Sequence, residues 1–220
     1  MYLAYALFCE GPSDYSYFEI LLPRVIESIV LAVGRVPVEA SEPPAVRLGR
    51  RGRAVDEVAT EACDRREAFH IVFVHADTGG RGQLAKVGYR SSAYCEKMHE
   101  LCEWRPERCV LLRPATMTES WALADPQAVL DALGYRGTPS ELGLPAGAEQ
   151  AEDHPNPKTC LDSALRTVRG TRRPRGDSLL PAIAQRQSID ALGRSKSFQE
   201  FEVSLQGALL DLGILEAIGR

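Results

Sequence analysis

The chain has 220 residues, of which 45% are hydrophobic and 25% charged, a composition typical of a folded globular protein and unlike that of disordered or collagen-like chains. Lys and Arg number 26 and Asp and Glu number 30, so the formal net charge is -4 at pH 7. Because the molecule as a whole is weakly acidic, any attraction to nucleic acid or anionic lipid depends on local basic patches.

The first elements follow from the apolar pattern at the N-terminus. Apolar residues at 2–9 predict a buried strand that stops at the turn residues 10–12. Ser13 or Asp14 then caps a helix whose apolar residues recur every three or four positions. Pro23 is expected to kink this helix or end it early.

Strand and helix signals continue to alternate along the chain. Further elements are predicted in the order strand, helix, strand, helix, strand and helix, at 45–48, 54–67, 71–76, 92–104, 109–112 and 126–134. This alternation is typical of a largely parallel sheet flanked by helices. We therefore predict an α/β fold, in which ligands bind beyond the carboxyl ends of the strands.

The character of the sequence changes after residue 125. A stretch rich in Gly, Pro and acidic residues precedes segments whose apolar residues have helical spacing. We predict an α/β domain over 1–135, a linker over 136–157, and a helical C-terminal extension over 158–220 that packs on the first domain.

Acidic residues follow three of the predicted strands. Glu10 and Asp77 come directly after strands, and Glu119 lies just past a third. Mg²⁺ prefers hard oxygen ligands, usually one or two protein carboxylates completed by water and substrate phosphates. Carboxylates from different strand ends suit such an ion. Taken singly, each acid is better explained as the start of a solvated loop, or as a helix cap at Asp14.

The order strand-Glu-Gly, helix, strand, then strand-Asp-x-Gly with a glycine cluster resembles the TOPRIM fold. This is the metal-dependent module of topoisomerases, bacterial primases and the overcoming-lysogenization-defect nucleases. Residues 9–14, CEGPSD, match its first motif, and residues 75–79, HADTG, occupy its second. The resemblance implies a Glu that acts in acid-base chemistry or metal binding and an Asp-x-Asp pair that holds the metal. In either register one carboxylate of that pair is replaced, by Gly79 or by His75.

A narrower resemblance covers most of the chain. The segments CEGPSD, VHADTGG, TESWALAD, HPNPK and SFQEFEVSL are similar to those of an uncharacterised TOPRIM-like family encoded in prokaryotic defence islands, often beside an ATPase. The resemblance implies that Glu119 supplies the missing carboxylate, while Asp125 caps the next helix. The implied catalytic residues and ligands of Mg²⁺ or Mn²⁺ are Glu10, Asp77 and Glu119.

The same resemblance implies a function. It points to a Mg²⁺-dependent nuclease, or nuclease subunit of an anti-phage defence system, that hydrolyses phosphodiester bonds in DNA in preference to RNA and works with an ATPase partner. Asp14 and His75 are expected to orient the metal ligands without binding the metal themselves. For His75, pairing with groups inside the fold is the simpler explanation. The incomplete Asp-x-Asp pair favours an alternative, a catalytically silent interaction or sensor subunit of an ATPase-containing defence complex. A third hypothesis is another phosphoryl- or nucleotidyl-transfer reaction at the same site.

Two basic clusters are candidate phosphate contacts. They comprise Arg47, Arg50, Arg51 and Arg53 in a glycine-containing loop, and Arg166, Arg169, Arg172, Arg173 and Arg175 around a predicted helix end. From these clusters and the HPNPK turn we select five nucleic-acid-binding residues, which are Arg50, Arg51, Lys158, Arg172 and Arg173. A solvated basic face or a partner-docking surface explains both clusters about as well.

The remaining patterns concern the membrane and the cysteines. The longest apolar stretch, residues 18–33, is broken by charged residues and Pro23, and the N-terminus lacks the basic start of a secretory signal. We therefore expect no membrane segment and a cytoplasmic protein. Six cysteines without a Cys-x-x-Cys pair favour reduced, mostly buried thiols. Cys95, His99 and Cys102 share a helix face, but structural zinc sites draw their ligands from two separate elements.

Overall fold

The computed structural model describes residues 1–50, 52–75, 84–170 and 175–216, with side chains from residue 91 onward in the helix that begins at Leu84. The strands are β1 (Tyr2–Leu3), β2 (Tyr5–Phe8), β3 (Glu39–Ala40), β4 (Val46–Arg47), β5 (Ile71–His75) and β6 (Cys109–Leu112). Within these ranges β4, β2, β5 and β6 form a parallel sheet in that order, and β1 pairs with β3, also in parallel.

Helices surround the sheet and make up most of the C-terminal part. The first five are α1 (Pro12–Val33), α2 (Val55–Asp64), α3 (Leu84–Cys102), α4 (Thr118–Ala122) and α5 (Pro126–Leu133). The others are α6 (Ala148–Asp153), α7 (Pro157–Arg169), α8 (Leu180–Arg186), α9 (Ile189–Leu192) and α10 (Lys196–Asp211). The predicted α/β fold, with a largely parallel sheet flanked by helices and a helical C-terminal region, is confirmed.

Both faces of the sheet are covered. Tyr5 and Phe73 belong to one buried cluster, together with residues of α1, α4, α5, α8 and α10. Phe8 and Val74 belong to a second cluster, with residues of α2 and α3. Successive residues of a strand point to opposite faces, so both sets of side chains are buried. This explains why β2 and β5 are uninterrupted apolar runs rather than alternating ones.

The strand order positions the candidate site. The chain passes from β2 to β4 on one side and then to β5 on the other side of β2. The direction of winding therefore reverses between β2 and β5. In open parallel sheets, ligands bind in the crevice outside the carboxyl ends of the strands at such a switch point.

Several element boundaries differ from the predicted ones. The strand predicted over 2–9 is divided into β1 and β2, each with its own partner strand. Pro23 does not end α1, which continues to Val33. A proline inside a helix destabilises the helix by about 3 kcal/mol or more. Phe18, Leu22 and Val25 of α1 are fully buried, and each buried apolar side chain of this size stabilises the fold by about 1.5–3 kcal/mol. The predicted helix over 92–104 is α3, which begins earlier, at Leu84.

The C-terminal helices share the core of the sheet. Trp121 of α4 lies 5.1 Å from Phe198 and 5.5 Å from Phe201 of α10, measured between ring centroids. Residues 136–157, predicted as a linker, contain α6 and bury Leu142 and Ala151 in the same cluster as β2 and β5. The division into a domain, a linker and an extension stays a prediction.

The cysteines are arranged differently from the predicted reduced thiols. Disulfide bonds join Cys63 of α2 to Cys102 of α3, and Cys95 of α3 to Cys109 of β6. The prediction of reduced thiols is wrong for these four residues, because the packing of α3 on α2 and β6 brings together cysteines 39 and 14 positions apart in the sequence. The shared helix face of Cys95 and Cys102 thus serves two separate bonds.

Among the helices of the described ranges, none has both the length and the apolar character needed to cross a membrane.

Candidate functional site at the carboxyl edge of the sheet

Three polar side chains from different elements meet at the carboxyl ends of β2, β5 and β6. The hydroxyl of Thr118 donates a hydrogen bond to Oδ1 of Asp14 at 2.7 Å, and its oxygen lies 3.1 Å from Nε2 of His75. Nδ1 of His75 lies 3.1 Å from the carbonyl oxygen of Leu112. All three side chains are buried, and His75 is fully enclosed. The bridge therefore ties α1, β5 and α4 together beneath this edge.

Asp14 also holds the turn that follows β2. Its Oδ2 accepts a hydrogen bond from the backbone N–H of Gly11 at 3.0 Å, as in a capping box at the start of α1. Both carboxylate oxygens of Asp14 thus have partners inside the fold. Asp14 is suited to positioning the turn that carries Glu10 rather than to binding a metal ion.

His75 is paired within the fold, as the simpler explanation predicted. Its ring packs on Phe18 of α1, with the ring centroids 4.8 Å apart. The carbonyl oxygen of Leu112 can only accept a hydrogen bond, which assigns a proton to Nδ1 of His75. His75 therefore joins β5 to β6 and α4, and a supporting role for it beside a metal stays a prediction.

Two of the three candidate metal ligands, Glu10 and Glu119, lie in segments next to this bridge. Glu10 follows β2 by two residues, and its Oε1 is enclosed by protein. Glu119 stands in the first turn of α4 and is 6% exposed. Asp77 lies outside the described residues. Since Phe8 is opposite Val74 in the parallel register, Glu10 follows β2 at the same edge where the chain leaves β5.

Glu10 and Glu119 are the candidate metal ligands within the described residues. In the described ranges no three His, Cys, Asp or Glu side chains form a group able to hold a metal ion. Asp14 is engaged by Thr118 and Gly11. Two carboxylates match the usual protein share of an Mg²⁺ shell, so the donors fit in kind. The predicted convergence of Glu10, Asp77 and Glu119 stays a prediction.

Asp125 has the capping role predicted for it. Its Oδ1 accepts a hydrogen bond from the backbone N–H of Ala128 at 3.2 Å, at the start of α5. Its Oδ2 accepts another from the N–H of Ser188 at 2.8 Å. Asp125 therefore fixes α5 and the start of α9.

The first basic cluster lines a small cleft beside Glu10. We call it the β4 cleft; it is a cavity of about 190 Å³ whose lining includes Tyr15, Arg47, Leu48, Gly49, Arg50 and Arg53. Nη1 of Arg53 donates a hydrogen bond to the carbonyl oxygen of Glu10 at 2.5 Å. Arg50 is exposed at the rim, and Arg51 lies outside the described residues. The loop after β4 therefore places cationic side chains next to the turn that carries Glu10.

The second basic cluster borders the same turn from another side. Arg175 shares a cavity of about 480 Å³ with Pro12 and Ser13 of the first turn of α1. Lys158 is exposed at the start of α7, and the predicted contacts Arg172 and Arg173 lie outside the described residues. Arg175 therefore lies near the start of α1, as the β4 cleft does.

Two residues of the site were not predicted from the sequence. Thr118 bridges Asp14 and His75, and Glu61 of α2 accepts hydrogen bonds from the backbone of the loop after β4. Thr118 stands in the TESW segment, next to Glu119, which was the only signal for it. Glu61 is 3% exposed, and a single Glu in an amphipathic helix is indistinguishable from the exposed acids around it.

Comparisons of the chain with protein-family models, with curated proteins and with solved structures found no match.

Proposed function

We propose that the protein is a Mg²⁺- or Mn²⁺-dependent nuclease, or the nuclease subunit of a prokaryotic anti-phage defence system, that hydrolyses phosphodiester bonds. The observation that carries the proposal is the set of buried hydrogen bonds at the carboxyl edge of the sheet, where the direction of winding reverses. There the buried Asp14–Thr118–His75 bridge holds the turn of Glu10 and the start of α4, where Glu119 stands.

Each residue has a role in this proposal. Glu10, Asp77 and Glu119 hold the metal ion, and Glu10 alternatively relays a proton. When bound, such an ion polarises a phosphoryl oxygen and lowers the pKa of a bound water molecule. Asp14 keeps the turn after β2 in place through its bond to Gly11. Oε1 of Glu10 is enclosed by protein and Glu119 is 6% exposed, and the attraction between a carboxylate and a cation is stronger in such surroundings than in water.

Basic residues on two sides of the turn support a polyanionic substrate. Arg50 and Arg53 lie on the β4 side and Arg175 near the start of α1. Because the net charge of the chain is -4, attraction for phosphates is confined to such places. DNA is proposed in preference to RNA, and an ATPase partner is proposed from the defence-island resemblance alone.

The proposal is tested by incubating the purified protein with supercoiled and single-stranded DNA in Mg²⁺ or Mn²⁺. We expect cleavage that is lost in Glu10→Gln and in Asp77→Asn and retained in Glu149→Gln, a matched control at an exposed acid of α6. Cleavage that survives both site substitutions contradicts the proposal, as does the absence of cleavage with either metal and either substrate.

A second candidate function is a catalytically silent interaction or sensor subunit. It is favoured by the internal pairing of Asp14 and His75 and by the incomplete Asp-x-Asp pair. Titration with Mn²⁺ separates the two candidates. Binding that Asp77→Asn abolishes supports the nuclease, and lack of binding supports the silent subunit.

A further inference from the structure

The β4 cleft has a size suited to a small anion. Its volume of about 190 Å³ equals that of about six water molecules at ~30 Å³ each. It opens between the end of β4 and the first turn of α1, with Tyr15 as one wall. The hydroxyl of Tyr15 donates to the carbonyl oxygen of Leu48 at 2.5 Å, and burial raises the pKa of Tyr15 to about 12. Tyr15 is therefore a neutral wall whose proton is already engaged.

The arginines of the β4 cleft differ in whether they form ion pairs. Arg47 forms an ion pair with Glu19 and lies over the ring of Tyr15 at 5.9 Å from its centroid. Arg50 and Arg53, by contrast, pair with no carboxylate of the described parts of the chain. Arg53 uses one of its N–H groups on the carbonyl oxygen of Glu10. Since a guanidinium has five N–H donors, both side chains keep donors for a ligand.

The backbone beneath the cleft is held in place. Oε2 of Glu61 accepts hydrogen bonds from the N–H groups of Gly49 at 2.9 Å and of Arg50 at 3.2 Å. Gly49 has φ +83, and a Cβ atom there would lie 2.9 Å from the ring of Phe8, so only glycine suits this position. The negative charge of Glu61 faces these N–H groups and Arg65, at 3.9 Å. Gly49 and the backbone N–H of Arg50 are therefore held in place by protein groups before any ligand binds.

We propose that the β4 cleft binds a phosphate group of a nucleic-acid strand through the guanidinium groups of Arg50 and Arg53. Guanidinium groups bind phosphate oxygens through paired charge-assisted hydrogen bonds. Because Arg53 also contacts the backbone of Glu10, the bound phosphate lies next to the proposed reaction site. The proposal deepens the proposed function and rests on it for the choice of a nucleic acid as the source of the phosphate.

The test measures binding without cleavage. A fluorescently labelled single-stranded oligonucleotide is titrated with protein in metal-free buffer, and its anisotropy is followed at several salt concentrations. For Arg50→Gln and Arg53→Gln we expect binding weaker by about tenfold and a salt slope smaller by about 0.7 for each lost contact. The control is Arg66→Gln, an exposed arginine before β5, at the opposite edge of the sheet.

The outcome that overturns the proposal is binding by both cleft variants within twofold of the wild type at an unchanged salt slope. An equal loss in Arg66→Gln, or no binding by the wild type, also overturns it. Because Arg53→Gln removes a contact to the Glu10 turn, Arg50→Gln is the decisive variant, and thermal melting verifies that each variant is folded. Arg50→Lys keeps the charge without the paired donors and is expected to recover part of the affinity.

Two sources of the phosphate are separated with the same assay. Oligonucleotides bearing a 5′-phosphate or a 5′-hydroxyl are compared in the wild type and in Arg50→Gln. An equal effect of the substitution on both identifies a phosphate within the strand, and a larger effect on the 5′-phosphate identifies the terminal group. A protein that shows the Arg50 effect but cleaves nothing contradicts the nuclease and leaves the phosphate site standing. Cleavage without an Arg50 effect does the reverse.

Discussion

Replacement of Thr118 by valine removes the hydroxyl at the centre of the polar bridge and keeps the side chain close in shape. In the wild type that hydroxyl donates to Oδ1 of Asp14 at 2.7 Å and lies 3.1 Å from Nε2 of His75. Thr118 and His75 are fully buried and Asp14 is 9% exposed. Water therefore has little access with which to replace the lost contacts.

The expected loss follows from the hydrogen bond to Asp14, because the single proton of the Thr118 hydroxyl goes to Oδ1 of Asp14 and none is left for Nε2 of His75. A hydrogen bond to a charged group contributes about 1.5–3 kcal/mol. Since Asp14 stays buried without this partner, we expect Thr118→Val to lower the free energy of unfolding by about 2–3 kcal/mol. Thr118→Ser keeps the hydroxyl and loses one methyl group, so its cost is expected to be about 1 kcal/mol.

Urea denaturation followed by tryptophan fluorescence measures both variants. Trp121 is fully buried, three residues from the substitution, and reports the loss of the shared core. The loss in Thr118→Val corresponds to a melting temperature lower by roughly 5–12 °C for a chain of this size. A free energy of unfolding for Thr118→Val within roughly 0.5 kcal/mol of that for Thr118→Ser, at an equal denaturant slope, would show that the hydroxyl of Thr118 does not stabilise the fold.

Gln187→Leu should lower the free energy of unfolding by about 3–5 kcal/mol, because it leaves the buried hydroxyl of Tyr17, now 2.6 Å from Oε1 of Gln187, without this partner. Adding Tyr17→Phe should recover part of that loss in urea denaturation. No recovery in the double variant would contradict the explanation. The pKa of Glu152 is lowered below its ordinary value because hydrogen bonds from the start of α10 outweigh the opposing effect of burial. The stabilising contribution of Glu152 is therefore present at neutral pH and lost as the pH falls through the lowered pKa. Wild type should be more stable than Glu152→Gln by about 1 kcal/mol at pH 7, and this difference should shrink in acid. A difference that stays constant with pH contradicts the prediction. The disulfide of Cys95 and Cys109 joins residues 14 positions apart. Replacing both cysteines by serine should lower the free energy of unfolding by about 3 kcal/mol, as measured by thermal melting. Quantitative alkylation of these thiols without a reductant would show that the bond is absent.

The fold class and the edge of the sheet at which Glu10 lies follow from the sequence alone. The uninterrupted apolar runs of β2 and β5 require cover on both faces, which a parallel sheet with flanking helices provides. A carboxylate directly after a strand must then lie at the carboxyl edge, as Glu10 does. The cap at Asp125 was also predictable, since it depends on the next three residues alone.

Which polar groups meet depends on how the elements pack together. Thr118 lies 104 positions from Asp14 and 43 from His75, and no local pattern encodes a contact between residues so far apart. The same holds for the disulfide pairs, whose connectivity depends on the packing of α3 against α2 and β6. Periodicity reports which face of an element is buried, whereas side-chain partners depend on how the elements pack. That packing placed Arg53 against Glu10 and Glu61 beneath the loop after β4.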